Sequence, residues 1–185
     1  MNDLKTIPSV LSIAIVVAGL IGIISVFLVW ISSGNGVTST GWEYIFRQSS
    51  GGDGGGAMFD FSRITENFYP GSSYPQIIFG WEPILVLIFS AVALIFGAYL
   101  IFKPKKELVP GVIISGILVV IAALSLYRRI DTFNTQISNF NTLIPDTQTP
   151  IMSNFAGIGL FFAMAAGILL ILFGVLRLAV KDKTN

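Results

Sequence analysis

The chain has 185 residues and a net charge of +1; 54% of its residues are hydrophobic, only 11% are charged, and cysteine and histidine are both absent. The near-neutral charge gives no reason to expect a nucleic-acid partner, and the missing thiols and imidazoles exclude disulfides and the usual zinc and haem ligands. Because soluble domains of this size are about one-quarter charged, the composition favours an integral membrane protein without a bound metal or cofactor.

Four blocks of the chain contain no Asp, Glu, Lys or Arg, and each is about as long as the ~20 residues that a helix needs to cross a hydrocarbon core. These blocks are residues 8–32, 83–102, 108–127 and 155–176. The blocks are apolar on all sides, without the polar stripe of a soluble helix or the alternating polarity of a barrel strand. We therefore predict one all-α integral membrane domain, an antiparallel up-down-up-down bundle of four transmembrane helices. The predicted spans cover residues 8–32, 81–102, 108–127 and 153–178.

Aromatic side chains mark the ends of three predicted spans. Trp30 and Trp81 close the outer ends of the first and second spans, and Tyr127 closes the third. Aromatic residues are enriched at the membrane–water interface. We therefore expect all three to be interface anchors.

The distribution of basic residues predicts the orientation. With both termini in the cytoplasm, the inner turn 103–107, the tail 179–185 and the flanking positions collect seven of the eleven basic residues on that side. These seven are Lys5, Lys103, Lys105, Lys106, Arg177, Lys181 and Lys183. By the positive-inside rule we predict a multi-pass protein of the plasma membrane with cytoplasmic N- and C-termini.

The first outer loop, residues 33–80, divides into three parts. The β-branched and aromatic stretch 36–48 predicts a short strand, the glycine run 51–56 follows, and residues 58–69 have the spacing of a short amphipathic helix that stops at Pro70. The glycine spacing is that of a dinucleotide-binding turn, but a buried strand before it and a long helix after it are both missing. We therefore predict no nucleotide binding.

The third helix is predicted to continue past the membrane. After Tyr127, apolar residues keep a spacing of three or four as far as Phe140, which predicts an amphipathic extension to about residue 140. Outer loop 141–152 follows, and Ser153 or Asn154 is expected to cap the fourth helix. The apolar stripe of the extension needs cover from water. Aromatic residues of the first loop would supply it as a small extracellular cap, or another protein would dock there.

Small residues at one-turn intervals occur in every predicted span, and the longest row lies in the fourth. Helices in lipid associate through close packing, which small residues permit. This row either packs inside the bundle or binds a neighbouring subunit. It consists of Gly159, Ala163, Gly167 and Gly174.

The spans contain few groups that could carry chemistry. Transporters and proton relays usually place ionisable groups at membrane depth, whereas the polar side chains here are Ser12, Ser25, Ser90, Tyr99, Ser115 and Ser125. Glu82 and Glu107 lie at span ends, where we expect water to reach them. We therefore predict no enzymatic activity.

The outline of four spans, a long first outer loop with a tryptophan and a short inner turn resembles claudin-type tetraspan proteins. Those proteins carry a Gly-Leu-Trp followed by a cysteine pair, whereas this chain has Gly41-Trp42 and no cysteine. Tetraspanins need a cysteine-bearing second outer loop, which is also missing. The shared feature is topology, which many unrelated membrane proteins possess, so no family is assigned.

The sequence favours a non-catalytic accessory or scaffold subunit of a larger membrane complex, in contact with lipid and with other subunits or itself. The small loops and the absence of N-x-Ser/Thr acceptors favour a prokaryotic source. Alternatives are a self-associating claudin-like cell-surface protein, a small-solute transporter or channel with a wet cavity lined by the serines and Tyr99, and a redox subunit whose cofactor a partner bears. The candidate contact residues are Trp42, Tyr44, Phe46, Phe59, Phe61, Ile130, Phe133, Ile137, Gly159, Ala163, Gly167 and Gly174.

Overall fold

A computed structural model describes residues 3–33, 38–42, 82–103, 105–143 and 153–180. Most of these residues lie in four helices, each of which contains a stretch long and apolar enough to span a membrane, as predicted. A single 3₁₀ turn over Lys106–Leu108 leads into the third helix. The helices are α1 (Asp3–Ser25), α2 (Glu82–Phe102), α3 (Val109–Leu143) and α4 (Ile158–Ala179).

A small antiparallel sheet corrects the all-α prediction. Its strands are β1 (Val29–Ser33), β2 (Thr38–Thr40) and β3 (Asn154–Ala156), with β1 in the centre. Ile31 is paired with Ser39 on one side and with Ala156 on the other. The two strand pairings satisfy backbone groups that would otherwise lie unpaired above the helices.

The sheet shortens two predicted spans. The first span was expected to run to residue 32, but α1 ends at Ser25 and the β-branched and aromatic residues that follow enter β1 instead. The fourth helix was expected from residue 153, but Asn154 begins β3 and the N-cap of α4 is Gly157, which provides no side-chain cap. The Gly157 N–H donates to the Trp30 carbonyl oxygen (2.7 Å), so strand contacts replace the predicted Ser153 or Asn154 cap.

The other boundaries follow the sequence more closely. The second span was expected over 81–102 and α2 covers Glu82–Phe102. Helix α3 has 35 residues and ends at Leu143, which confirms the predicted extension. At 1.5 Å per residue it is about 50 Å long, well beyond a hydrocarbon core of ~30 Å. Strand β2 falls within the predicted strand 36–48. The predicted glycine run and amphipathic helix lie outside the described residues.

Each helix packs mainly on two neighbours: α1 and α3 each contact both α2 and α4. One buried cluster lies where the sheet meets the helices and includes Trp30, Val86, Leu126 and Leu160. We call this part of the molecule the sheet end. A second cluster, which includes Ile15, lies towards the opposite end of the bundle.

Candidate functional site at the sheet end

The small-residue row of α4 faces the interior of the bundle. A Cβ on Gly159 would lie 2.6 Å from Trp30 Cδ1, one on Gly167 would lie 2.7 Å from a Val120 methyl, and one on Gly174 would lie 2.6 Å from an Ile113 methylene. The fourth member of the row is fully buried as well. All four residues are covered by their own chain. Of the two alternatives that the sequence left open for Gly159, Ala163, Gly167 and Gly174, the structure shows the internal packing.

Trp30 is a buried element of the fold and not the expected interface anchor. Its ring is fully buried, and Nε1 donates to the Ser25 carbonyl oxygen at 2.6 Å. Between Val29 and Ile31 the register of β1 shifts against β2, so Trp30 occupies an irregularity of the kind that redirects a side chain. A Cβ on Gly41 would approach Trp30 Nε1 to 2.9 Å, so the ring ties the sheet to the helices.

Glu82 is the second departure from expectation. We expected water to reach this carboxylate, but the residue is only 4% exposed. Arg129 Nη2 lies 3.0 Å from Glu82 Oε1, and the Ser125 hydroxyl donates weakly to the same oxygen at 3.4 Å. The other oxygen, Oε2, is buried and accepts no hydrogen bond within the described residues. A cation from α3 thus compensates a carboxylate that α2 has taken out of water.

The partner of Glu82 was missed in the sequence, although a signal was present. Glu82 and Arg129 both fall at the outer ends of predicted spans, and adjacent helices would bring such ends to one level. Which helices are neighbours could not be read from the sequence. The side chain of Arg129 is itself 49% exposed, so the pair lies at the edge of the packed region.

A cleft of about 260 Å³ opens at the sheet end between α3 and the β3–α4 segment. It combines aromatic rings, a carboxylate and an amide. We call it the aromatic cleft; its lining residues are Tyr127, Ile130, Asp131, Asn134, Phe155, Ala156 and Phe161. Tyr127, Phe155 and Phe161 remain exposed large side chains. Tyr127 was expected at an interface, and its exposure is compatible with that position.

The predicted contact residues of the α3 extension are only partly available. Ile130 is buried in the cluster that contains Trp30 and Ile31, so the chain itself covers this part of the apolar stripe. Phe133 is half-buried. The backbone of Ile137 lies in α3, and its side chain is outside the described set. The stripe therefore begins within this buried cluster, and the loop aromatics expected to cover it are not among the described residues.

Trp42 is the member of the predicted first-loop contact set that the structure describes. Its ring is 40% exposed and stacks on Phe27, which is 50% exposed, with a centroid separation of 5.1 Å. The Trp42 N–H also donates to the Val26 carbonyl oxygen at 2.8 Å. The other first-loop candidates lie outside the described residues; they are Tyr44, Phe46, Phe59 and Phe61.

The opposite end of the bundle carries basic side chains. Lys106 Nζ donates to the Val180 carbonyl oxygen at 2.7 Å and so ties the turn before α3 to the end of α4. Lys103 Nζ lies 5.9 Å from the ring centroid of Tyr99, which is exposed. Arg177 is fully buried, which the sequence did not predict.

The polar residues of the spans do not line the aromatic cleft. Ser12 donates to the Pro8 carbonyl oxygen at 3.0 Å and Ser25 to the Gly22 carbonyl oxygen at 2.6 Å, so both hydroxyls bond to their own helix. Ser90 is buried against Gly22 of α1. These contacts belong to helix packing, whereas the transporter alternative expected the serines to line a wet cavity.

Among the described residues, no group of three or more Asp, Glu, His or Cys side chains is placed to hold a metal ion.

Comparisons with protein-family models, with curated proteins and with solved structures found no match.

Proposed function

We propose that this protein is a non-catalytic accessory or scaffold subunit of a larger membrane complex. Its helices cross the plasma membrane in up-down-up-down order with both termini in the cytoplasm. The sheet and the extension of α3 form a small cap on the outer side. The observation that carries this proposal is the combination of a tightly packed helix interior with exposed aromatic side chains at the sheet end.

Close backbone contact supports a rigid bundle. A Cβ on Gly116 would lie 2.8 Å from the Gly167 carbonyl oxygen, and one on Gly97 would lie 2.8 Å from an Ile15 methyl. Lipid tails are as apolar as leucine, so helices associate only where such close packing is possible. A bundle built on these contacts has little freedom to rearrange around a solute. This favours a contact role over transport.

The exposed aromatics give the proposed contact surface. Phe27 and Trp42 form a stacked pair at one side of the sheet end, and Phe155 is exposed on the edge strand β3. Large aromatic side chains are enriched at the energetically important centres of protein interfaces. The α3 extension, which projects beyond the bilayer in this topology, adds a second surface to the cap.

Purification of the tagged full chain from its native membrane in mild detergent, followed by native mass spectrometry, tests the proposal. A discrete complex with larger subunits is the expected result. Replacing Trp42 with alanine should weaken that complex, whereas Ile95→Ala, a matched loss on the exposed face of α2, should leave it intact. A homo-oligomer would favour the self-associating alternative, and a monomer would contradict both.

Orientation is tested separately with single cysteines, since the native chain has none. Ser49→Cys in the first loop and Lys105→Cys in the inner turn should react with a membrane-impermeant thiol reagent from opposite faces. Lys105 is exposed, so its site is open to the reagent. Labelling of both cysteines from one face would overturn the proposed topology.

A further inference from the structure

We propose that the aromatic cleft binds the ammonium headgroup of a membrane phospholipid, whose acyl chain lies along the exposed faces of α3 and α4. The inference rests on the membrane placement proposed above and is independent of which protein partner the chain has. It assigns a ligand to a cleft that overlaps the proposed contact surface at Phe155 and along α3.

The lining of the cleft suits an organic cation. Tyr127, Phe155 and Phe161 contribute aromatic rings, and Asp131 contributes a carboxylate. Aromatic faces attract ammonium groups, and the attraction grows where the cation loses water. Asp131 forms no ion pair within the part of the chain that the structure describes, so its charge is available to a ligand. A headgroup bearing only negative charge would be repelled by the same carboxylate.

The neighbouring arginines leave this charge pattern in place. Tyr127, Ile130, Asp131 and Asn134 follow helical spacing and share the face of α3 that lines the cleft. Arg129 lies on another face, with its guanidinium 3.0 Å from Glu82 of α2. Asp131 therefore gives the α3 wall of the cleft a negative charge, and the positive charge of Arg129 lies outside this lining.

Arg128 is the remaining nearby cation, and it complements the second charge of a phospholipid headgroup. It directly follows Tyr127 and is exposed. A zwitterionic headgroup has a phosphate two carbons from its ammonium. Arg128 lies three residues before Asp131 on α3, so its exposed guanidinium is within one helical turn of the carboxylate that would hold the ammonium.

Two exposed apolar rows lead away from the cleft and decide in favour of a lipid over a soluble amine. One row lies on α3 and the other on α4, each beginning next to a cleft residue. Both face outward from the bundle, where an acyl chain would lie. The rows are Leu124, Ile121 and Ile117 on α3, and Ala165, Ile168 and Leu172 on α4.

The test measures lipid retention by native mass spectrometry of the full chain, purified with equal amounts of phosphatidylethanolamine and phosphatidylglycerol. The wild-type chain should retain the ethanolamine lipid about three- to tenfold better, the range expected from one carboxylate and two or three rings. Asp131→Asn should remove that preference. Glu107→Gln, which neutralises an exposed carboxylate at the opposite end of the bundle, should keep it.

A second variant distinguishes a loss of lipid binding from a loss of folding. Phe155→Leu keeps an exposed apolar side chain on β3 but removes one ring, and it should lower the preference without changing detergent unfolding. Equal retention of the two lipids by the wild-type chain would overturn the proposal, and so would an unchanged preference in both variants. Displacement of the lipid by soluble phosphoethanolamine at equal concentration would overturn the choice of a lipid.

This outcome is separable from that of the proposed function. Cysteine labelling reports the topology, the isolated complex reports the partner, and the ratio of retained lipids reports the cleft. A wild-type chain that retains the two lipids equally but remains in a complex would contradict only the inference about the cleft.

Discussion

Replacing Gly167 with alanine should loosen the contact between α3 and α4. The new Cβ would lie 2.7 Å from Val120 Cγ2 and 2.9 Å from the Gly116 carbonyl oxygen, where ordinary contact begins near 3.4 Å. The atoms must therefore separate by about 0.5–0.7 Å, and the oxygen belongs to a helix backbone that cannot rotate away. Overpacking of this kind destabilises a protein by about 1–3 kcal/mol, whereas the higher helix propensity of alanine offsets up to ~1 kcal/mol of this loss. We expect a net loss of about 1–2 kcal/mol.

The measurement is reversible unfolding in mixed micelles at increasing SDS, followed by tryptophan fluorescence. Val175→Ile is the matched control, because it also adds one methyl group to α4 but does so on the exposed face. It should change the unfolding free energy by less than about 0.5 kcal/mol. Adding Val120→Ala to the Gly167→Ala chain should restore part of the loss, since it removes the closest methyl group. Equal stability of the Gly167→Ala and Val175→Ile chains would refute the packing argument.

Two further predictions concern the sheet end. Arg129→Met should destabilise the chain by about 1–3 kcal/mol, because it leaves the buried Glu82 carboxylate without its cation; Glu82→Gln in the same chain should restore most of this, and Arg128→Met should be nearly neutral. If Glu82→Gln does not restore stability to the Arg129→Met chain in SDS unfolding, Arg129 does not stabilise the fold through its ion pair with Glu82. Trp30→Phe should lower stability by about 1–2 kcal/mol through loss of the bond to the Ser25 oxygen, and should remove a blue-shifted component of the tryptophan emission; unchanged emission would contradict the burial of this indole.

The positions of the four long helices could be predicted because membrane insertion is a local property. The free energy of transferring each uncharged block into the membrane is approximately the sum of its residues' contributions, and it does not depend on what the helix later packs against. The same holds for the α3 extension, whose apolar spacing continues from Tyr127 to beyond Ile130 without a break. The small residues of α4 could also be predicted to lie at a helix contact, but the sequence did not show which helix they contact.

The candidate site was less predictable because its parts come from distant segments. Nothing near Glu82 in the sequence identifies Arg129 as its partner, and Asp131 lines the same cleft as Phe155 only because β3 lies beside α3. The sequence signal that was present, an acidic and a basic residue at the ends of predicted spans, becomes specific only once neighbouring helices are known. The surface expectations for Trp30 and Glu82 failed for this reason.

The sequence by itself determined that this chain has four helices suited to a bilayer, since hydrophobic length is additive along the chain. The tertiary structure decided that residues 29–33 leave the helical path, because those backbone groups gain partners in β3 more than 120 residues away. The tertiary structure also decided which face of each helix is buried, because a helix that is apolar on all sides has no polar stripe to show which face points inward.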